Sequence, residues 1–276
     1  MIYFIGAGPG AVDLITVKGK ELLEKADLII YAGSLVNPEL LKYAKPDCVI
    51  MDSAKMTLEE VIAAMVPAAQ SGKLVVRLHT GDPSIYGAHR EQIDLLRSYG
   101  LDYEVVPGVS SFCAAAAALK AEYTLPNVSQ SVIITRMEGR TPVPSKQKIA
   151  DYAAHNATMV IFLSSSMLEK LQKELIAGGY KEDTPAAIVY KASWPDEKVC
   201  RCTVGTIAET AAKYNITKTA LITVGYFLGS EYDRSELYNP TFAHGYREAD
   251  PSNWILNLRL NNAGSYFFLQ QTRRAA

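Results

Sequence analysis

Short apolar runs alternate with longer helical stretches from the N-terminus to Pro107. IYFI (2–5), DLIIY (27–31), CVIM (48–51), LVVRL (74–78) and YEVVP (103–107) each suit a strand. Between them lie helical patterns. One covers about residues 18–26. A second opens with Asn37 as N-cap and Pro38 in the first turn and runs to about Lys45. A third follows Thr57-Leu58-Glu59-Glu60, where Thr57 and Glu60 stand three apart as a capping box. This alternation argues for a mostly parallel sheet with helices on both faces. The chain is therefore expected to be α/β.

The rhythm restarts after Pro107-Gly108. SSFCAAAAALKA reads as a helix capped by Ser, and LEKLQKELIAGG (168–179) as a helix stopped by two glycines. SVIIT (131–135), TMVIFL (158–163), AAIVYK (186–191), KVCRCTV (198–204) and ALITVGY (220–226) are strand candidates, with a hairpin turn at Pro195-Asp196. Two α/β domains with mostly parallel or mixed sheets are expected, the first over residues 1–112 and the second over 113–249. Residues 250–276 show large apolar residues without a period and are read as an atypical tail with no assigned function.

The 276 residues suffice for two modest domains, and 49% hydrophobic with 21% charged residues is ordinary globular composition. A net charge of -1 gives no basic field for nucleic acid, so an anionic partner must be met by a local cluster of Arg and Lys. The first apolar run breaks at Gly6 and no long apolar stretch follows, so neither a signal peptide nor a membrane span is expected, and the reading is cytoplasmic. Cys48, Cys113, Cys200 and Cys202 form no CxxC pair and His is sparse. They are read as reduced thiols, with no protein-bound metal.

Three loops carry candidate chemistry. Gly6-Ala7-Gly8-Pro9-Gly10-Ala11 follows the first strand and satisfies the loose GxGxxA dinucleotide fingerprint. Asp27 stands at the start of the second strand, whereas a Rossmann unit wants its acid at the end, where Tyr31 is found. Pro9 also removes an N–H that a phosphate would use. The turn thus suits a nucleotide without pyrophosphate, or serves only as a tight strand-to-helix turn. His79-Thr80-Gly81-Asp82-Pro83-Ser84-Ile85-Tyr86-Gly87 leaves the carboxyl end of the fourth strand, where open α/β sheets bind ligands, although an Asp-Pro turn is also common. Pro107-Gly108-Val109-Ser110-Ser111-Phe112 feeds a helix N-terminus that offers N–H groups and hydroxyls, or merely caps a small-residue helix.

Taken together, GAGPGAVDLITVKG, HTGDPSIYG and PGVSSFCAAAAA, in this order and spacing, resemble the tetrapyrrole (corrin/porphyrin) methylase family. SVIITRMEGRTPVP, VIFLSSSML, EDTPAAIVYKASWPDEKV and LYNPTFAHGYR extend the likeness to its precorrin-4 and cobalt-precorrin-4 C(11)-methyltransferase branch, over residues 1–249. The resemblance implies two α/β domains with an S-adenosylmethionine (SAM) cleft between them, a homodimer and a small-molecule tetrapyrrole substrate, with no nucleic-acid or membrane partner. It also implies SAM contacts at Pro9, Thr80, Gly81, Asp82, Ile85, Ser110 and Ser111, and at Leu163, Ala192 and Ala220. Other branches, acting on uroporphyrinogen or precorrin-2 or resembling diphthine synthase, are the nearest alternatives. An NAD-linked oxidoreductase and a nonenzymatic nucleotide sensor are more distant ones.

A sulfonium is already a strong electrophile and an enamine-like ring carbon a competent nucleophile, so the reaction asks for alignment and water exclusion. No catalytic residue is assigned, and Asp82 is expected to anchor SAM. The substrate's carboxylates suit arginine forks. Arg136 and Arg140, in a loop after a strand, are the chosen candidates. His89, Arg90, Arg234, His244 and Arg247 are further basic residues near the same motifs.

Overall fold

A computed structural model describes residues 1–249. The tail assigned to 250–276 lies outside the described residues. Two five-stranded sheets form the frame. The first contains β1 (Ile2–Gly6), β2 (Leu28–Tyr31), β3 (Val49–Asp52), β4 (Val75–His79) and β5 (Tyr103–Val106), in the order β3-β2-β4-β1-β5. Every pair in it is parallel. The second contains β6 (Val132–Arg136), β7 (Thr158–Phe162), β8 (Pro185–Tyr190), β9 (Lys198–Thr203) and β10 (Ala220–Val224), in the order β6-β7-β10-β8-β9. It is mixed, because β6 runs parallel to β7 while β10 runs antiparallel to it. The neighbouring β8 and β9 make the hairpin expected around Pro195-Asp196.

Period-two alternation sorts the strand residues of the first sheet onto two faces. Ile2 and Phe4 of β1, Leu28 and Ile30 of β2 and Val75 of β4 pack with α2 (Leu58–Gln70) and α3 (Arg90–Ser98). Ile5, Ile29, Val76 and Leu78 pack on the other face with Leu23 of α1 (Val17–Lys25), Ala26 and Leu40. Each such side chain, fully buried, contributes about 1.5–3 kcal/mol. Arg77 and His79 share the face of Val75, so β4 carries two basic side chains into the α2/α3 layer. Arg77 is 6% exposed and donates to Gln92 of α3 at 3.2 Å and to the Ile30 carbonyl at 3.2 Å.

Local signals set the helix starts. Thr57 and Glu60 form the capping box reciprocally, with bonds of 3.3 and 2.7 Å. Asn37 accepts from the Glu39 N–H at 3.0 Å, as an N-cap should. The helix it opens, Pro38–Tyr43, is 3-10. Helix α4 (Ser111–Leu119) begins at Ser110, whose side chain makes no capping bond. Helices α5 (Ile149–Ala153), α6 (Leu168–Ala177) and α7 (Ile207–Lys213) accompany the second sheet in the chain. By contacts the chain falls into two units that are discontinuous in sequence. One comprises Met1–Lys120, Ile188–Cys200 and Tyr214–Leu221. The other comprises Ala121–Ala187, Arg201–Lys213 and the described residues from Ile222 on, 222–249. Among the described residues, no helix is long and apolar enough to cross a membrane.

Candidate functional site

The three loops meet at the carboxyl ends of β1, β4 and β5. Ala7 donates its N–H to the His79 carbonyl at 2.7 Å, and Gly8 and Gly81 exchange backbone bonds of 3.2 and 2.9 Å. The approach is close enough to require glycine. A Cβ on Gly6 would lie 2.6 Å from the Gly108 backbone and from the Gly81 carbonyl oxygen, and one on Gly108 would lie 2.2 Å from that same oxygen. Asp82 staples the second loop to the third. Its Oδ2 accepts from the Gly108 N–H at 2.8 Å, and its Oδ1 accepts from the Ser84 N–H at 2.8 Å and from the Ser84 hydroxyl.

The β8–β9 turn grips the first loop from another side. Ala11 donates its N–H to Ser193 Oγ at 3.0 Å, and Trp194 Nε1 donates to the Pro9 carbonyl at 3.0 Å. The indole lies so close over Gly10 that a Cβ there would meet it at 2.1 Å. Asn37 Nδ2 also donates to the Gly10 carbonyl at 2.8 Å. Within the same unit, Lys191 donates its N–H to the Thr219 carbonyl at 2.9 Å. This bond ties the residue before Ala192 to the residue before Ala220. Pro9, Thr80, Gly81, Asp82, Ile85, Ser110, Ser111, Ala192 and Ala220 thus all belong to one unit, while Leu163 belongs to the other. Sequence reading placed Ser193 and Trp194 in a hairpin but missed their grip on the glycine loop. The available signal was a large aromatic in a tight turn, where burial against backbone is the only shelter.

Charge in this region is arranged in layers. Burial pushes the Asp82 carboxyl up, but the bonds from the Ser84 hydroxyl, the Gly108 N–H and the Ser84 N–H outweigh it. The group sits below the usual carboxylate range and is ionised at neutral pH. His79 is 4% exposed, and burial, with the charge of Arg77 and then that of His89, pushes its pKa down to about 3. It bonds to the Gly87 backbone, and its Nε2 has no partner among the described residues. Its ring stacks on Phe4 at 5.9 Å and meets His89 edge-on at 6.0 Å. Arg77 is pushed down to about 10 by burial and is still a cation at neutral pH.

The arginine loop after β6 is built differently. Arg136 donates to the carbonyls of Met137, Thr141 and Pro142 at 3.1, 3.2 and 2.8 Å. Its guanidinium therefore shapes its own loop. Arg140 is exposed and has no partner among the described residues. Both line a cavity of about 690 Å³ with Leu163, Met137, Met167 and Lys170. Sequence reading placed Lys170 on the helix LEKLQKELIAGG but gave it no role. The remaining basic candidates have local tasks. Arg90 pairs with Asp94 at 3.0 Å, and His89 precedes α3 and packs on Phe4. Arg234 bonds to the Tyr238 carbonyl, Arg247 bonds to the Asn239 carbonyl, and His244 accepts from the Tyr246 N–H.

Residues 1–208 match the model of the tetrapyrrole (corrin/porphyrin) methylases. The chain belongs to this family, which is one of methyltransferases. It is 59% identical over 249 residues to the cobalt-precorrin-4 C(11)-methyltransferase of Methanocaldococcus jannaschii, covering 90% of this chain and 96% of that protein. The X-ray structure of a cobalt precorrin-4 methyltransferase of cobalamin biosynthesis superposes with a TM-score of 0.81 at 50% identity, over 82% of this chain and 95% of that one. The uroporphyrin-III C-methyl transferase of Thermus thermophilus, complexed with S-adenyl homocysteine, gives 0.69 at 25% identity, over 84% and 95%.

Proposed function

We propose that this chain is a SAM-dependent C-methyltransferase that methylates carbon 11 of cobalt-precorrin-4, or of precorrin-4, in cobalamin biosynthesis. The observation that carries this reading is the 59% identity to the archaeal C(11)-methyltransferase across nearly the full length of that protein. The geometry supports it. The three glycine loops meet at the strand ends, beside an α4 N-terminus whose Ser110 hydroxyl makes no capping bond. SAM carries no phosphate, so the N–H lost at Pro9 is no handicap there.

Within that reading SAM supplies an electrophilic methyl on a positively charged sulfur. Pro9, Thr80, Gly81, Ile85, Ser110, Ser111, Leu163, Ala192 and Ala220 are assigned to hold it. Asp82 is assigned there too, as an ionised carboxylate that keeps two of the loops together. Holding the methyl in line with a ring carbon and excluding water are the protein's main contributions. Arg140 is assigned to a substrate carboxylate, and Arg136 to the shape of the loop that presents it. A cytoplasmic homodimer is the family expectation, and the four free thiols suit a reducing compartment. Light scattering in solution tests the dimer.

The decisive experiment incubates the protein with labelled SAM and trimethylated precorrin, with and without cobalt. Gain of one methyl, located at carbon 11 by NMR, is expected. No mass gain with either ring defeats the function.

A further inference from the structure

We propose that Lys170 is a second carboxylate-binding residue, which acts with Arg140 as a two-cation clamp on one peripheral carboxylate of the substrate. The inference rests on the tetrapyrrole reading and adds a residue and a division of labour to it.

The cavity of about 690 Å³ falls in the size range of small-molecule sites. Its lining carries three cations, Arg136, Arg140 and Lys170, against one carboxylate, Glu138. The bonds of Arg136 all end on carbonyl oxygens, which orient the guanidinium without neutralising it. Arg136 is therefore a positive charge held in place by its own loop. Arg140 has its full fork available.

Among the described residues Lys170 has one ionic neighbour, Glu174, at 3.7 Å, which is beyond hydrogen-bond range. The lysine stands N-terminal to the glutamate on α6, the weaker of the two i,i+4 orientations. Its side chain is 55% exposed, so water screens what attraction there is. A carboxylate entering beside Arg140 would compete well for such an ammonium. The rest of the lining suits an apolar body attached to that carboxylate. Met167, half-buried, offers polarisable surface. Leu163 is 59% exposed and holds a left-handed backbone at φ 52°. A leucine kept in that conformation with its side chain in water is the kind of local cost that ligand sites retain. An apolar macrocycle edge bearing an acetate or propionate arm meets both demands.

The test is steady-state kinetics of the full chain with the precorrin substrate and SAM, on Lys170→Gln, Lys170→Arg, Arg140→Gln and Glu174→Gln. Lys170→Gln should raise the tetrapyrrole KM about five- to tenfold and weaken its salt dependence, with the KM for SAM within twofold of the parent. Lys170→Arg should restore most of the loss. Glu174→Gln should lower the tetrapyrrole KM about twofold by releasing the ammonium, an effect that a merely structural lysine would not produce. A tetrapyrrole KM within twofold of the parent for Lys170→Gln, or a SAM KM rising in step, overturns the clamp while leaving the function intact. Failure of the parent protein to methylate either ring defeats the tetrapyrrole reading, and the clamp with it.

Discussion

Gly108 and Gly139 both sit in loops leaving the carboxyl end of a strand, yet an added methyl group would meet different surroundings. At Gly108 it would strike the backbone of two neighbouring loops, with the Gly81 oxygen at 2.2 Å. At Gly139 it would touch only the tip of Met167, at 3.2 Å from Cε and 3.4 Å from Sδ. The first region is built from backbone against backbone, and neither partner can yield. The second is built from side chains around a cavity, and a thioether can swing aside. A cofactor that is the same in every turnover suits the rigid region. A large substrate with flexible acidic arms suits the adaptable one.

The largest effect should come from breaking the rigid region. Gly108→Ala is expected to cost about 3 kcal/mol of stability, at the upper end of overpacking costs, and to abolish calorimetric binding of S-adenosylhomocysteine. Gly139→Ala should cost less than about 0.5 kcal/mol and bind it normally. Urea unfolding with calorimetry on the pair decides, and equal losses at both sites would remove the distinction.

Asp82→Asn comes next. The carboxylate accepts from the second and third loops at once, and an amide turned either way presents a donor to one of those N–H groups. A loss of about 2 kcal/mol is expected, typical of a hydrogen bond to a charged group. The KM for SAM should rise at least tenfold and the tetrapyrrole KM much less. A selective rise in the tetrapyrrole KM would place Asp82 in the wrong region.

The two regions also differed in how far the sequence revealed them. In the first sheet β1 and β2 were legible because each is an unbroken apolar run, as burial on both faces demands, while β3 at the exposed edge and β5 were legible only from the alternation with helices. The capping box at Thr57 and the N-cap at Asn37 were legible because those bonds are local. Nothing local marked α3, α5 or α7, whose short amphipathic patterns gain definition only from what they pack on. The 3-10 character of Pro38–Tyr43 was equally invisible. The convergence of Gly6, Gly81 and Gly108 is non-local, and family likeness grouped their loops before any spacing could. Trp194 over Gly10 and the cavity that Lys170 shares with Arg140 escaped for the same reason. Arg136 was legible as a cation in a loop after a strand, but its bonds to three carbonyls were not.

His79 tests how dry the rigid region is. Its folded pKa of about 3 lies below the free value of 6.5, so the unfolded chain takes up the proton first as the pH falls. The contribution is fully present above about pH 6.5 and is lost on acidification toward pH 3, at up to ~1.4 kcal/mol per pH unit. Asp82, also held low, adds to this loss only below its ordinary carboxylate range, so the interval between pH 4.5 and 6 isolates the histidine. His79→Phe keeps the ring against Phe4 and cannot be protonated. Its urea midpoint should be nearly flat across that interval while the parent's falls. Parallel slopes would show that His79 is reached by water and protonates freely.

The smallest effect concerns a hydroxyl with no structural duty. Thr57 and Ser110 are both N-caps, but only Thr57 bonds to its helix. Thr57→Ala should therefore cost about 1 kcal/mol, the usual value for a working cap. Ser110→Ala should cost under about 0.5 kcal/mol, although the residue is only 6% exposed. Its consequence should appear instead as a several-fold loss of affinity for S-adenosylhomocysteine, since a hydroxyl not used by the helix is available to a ligand at its N-terminus. Equal destabilisation by the two substitutions, with affinity unchanged at Ser110, would mean that its hydroxyl is structural after all. The rigid region would then offer the cofactor little besides its backbone and Asp82.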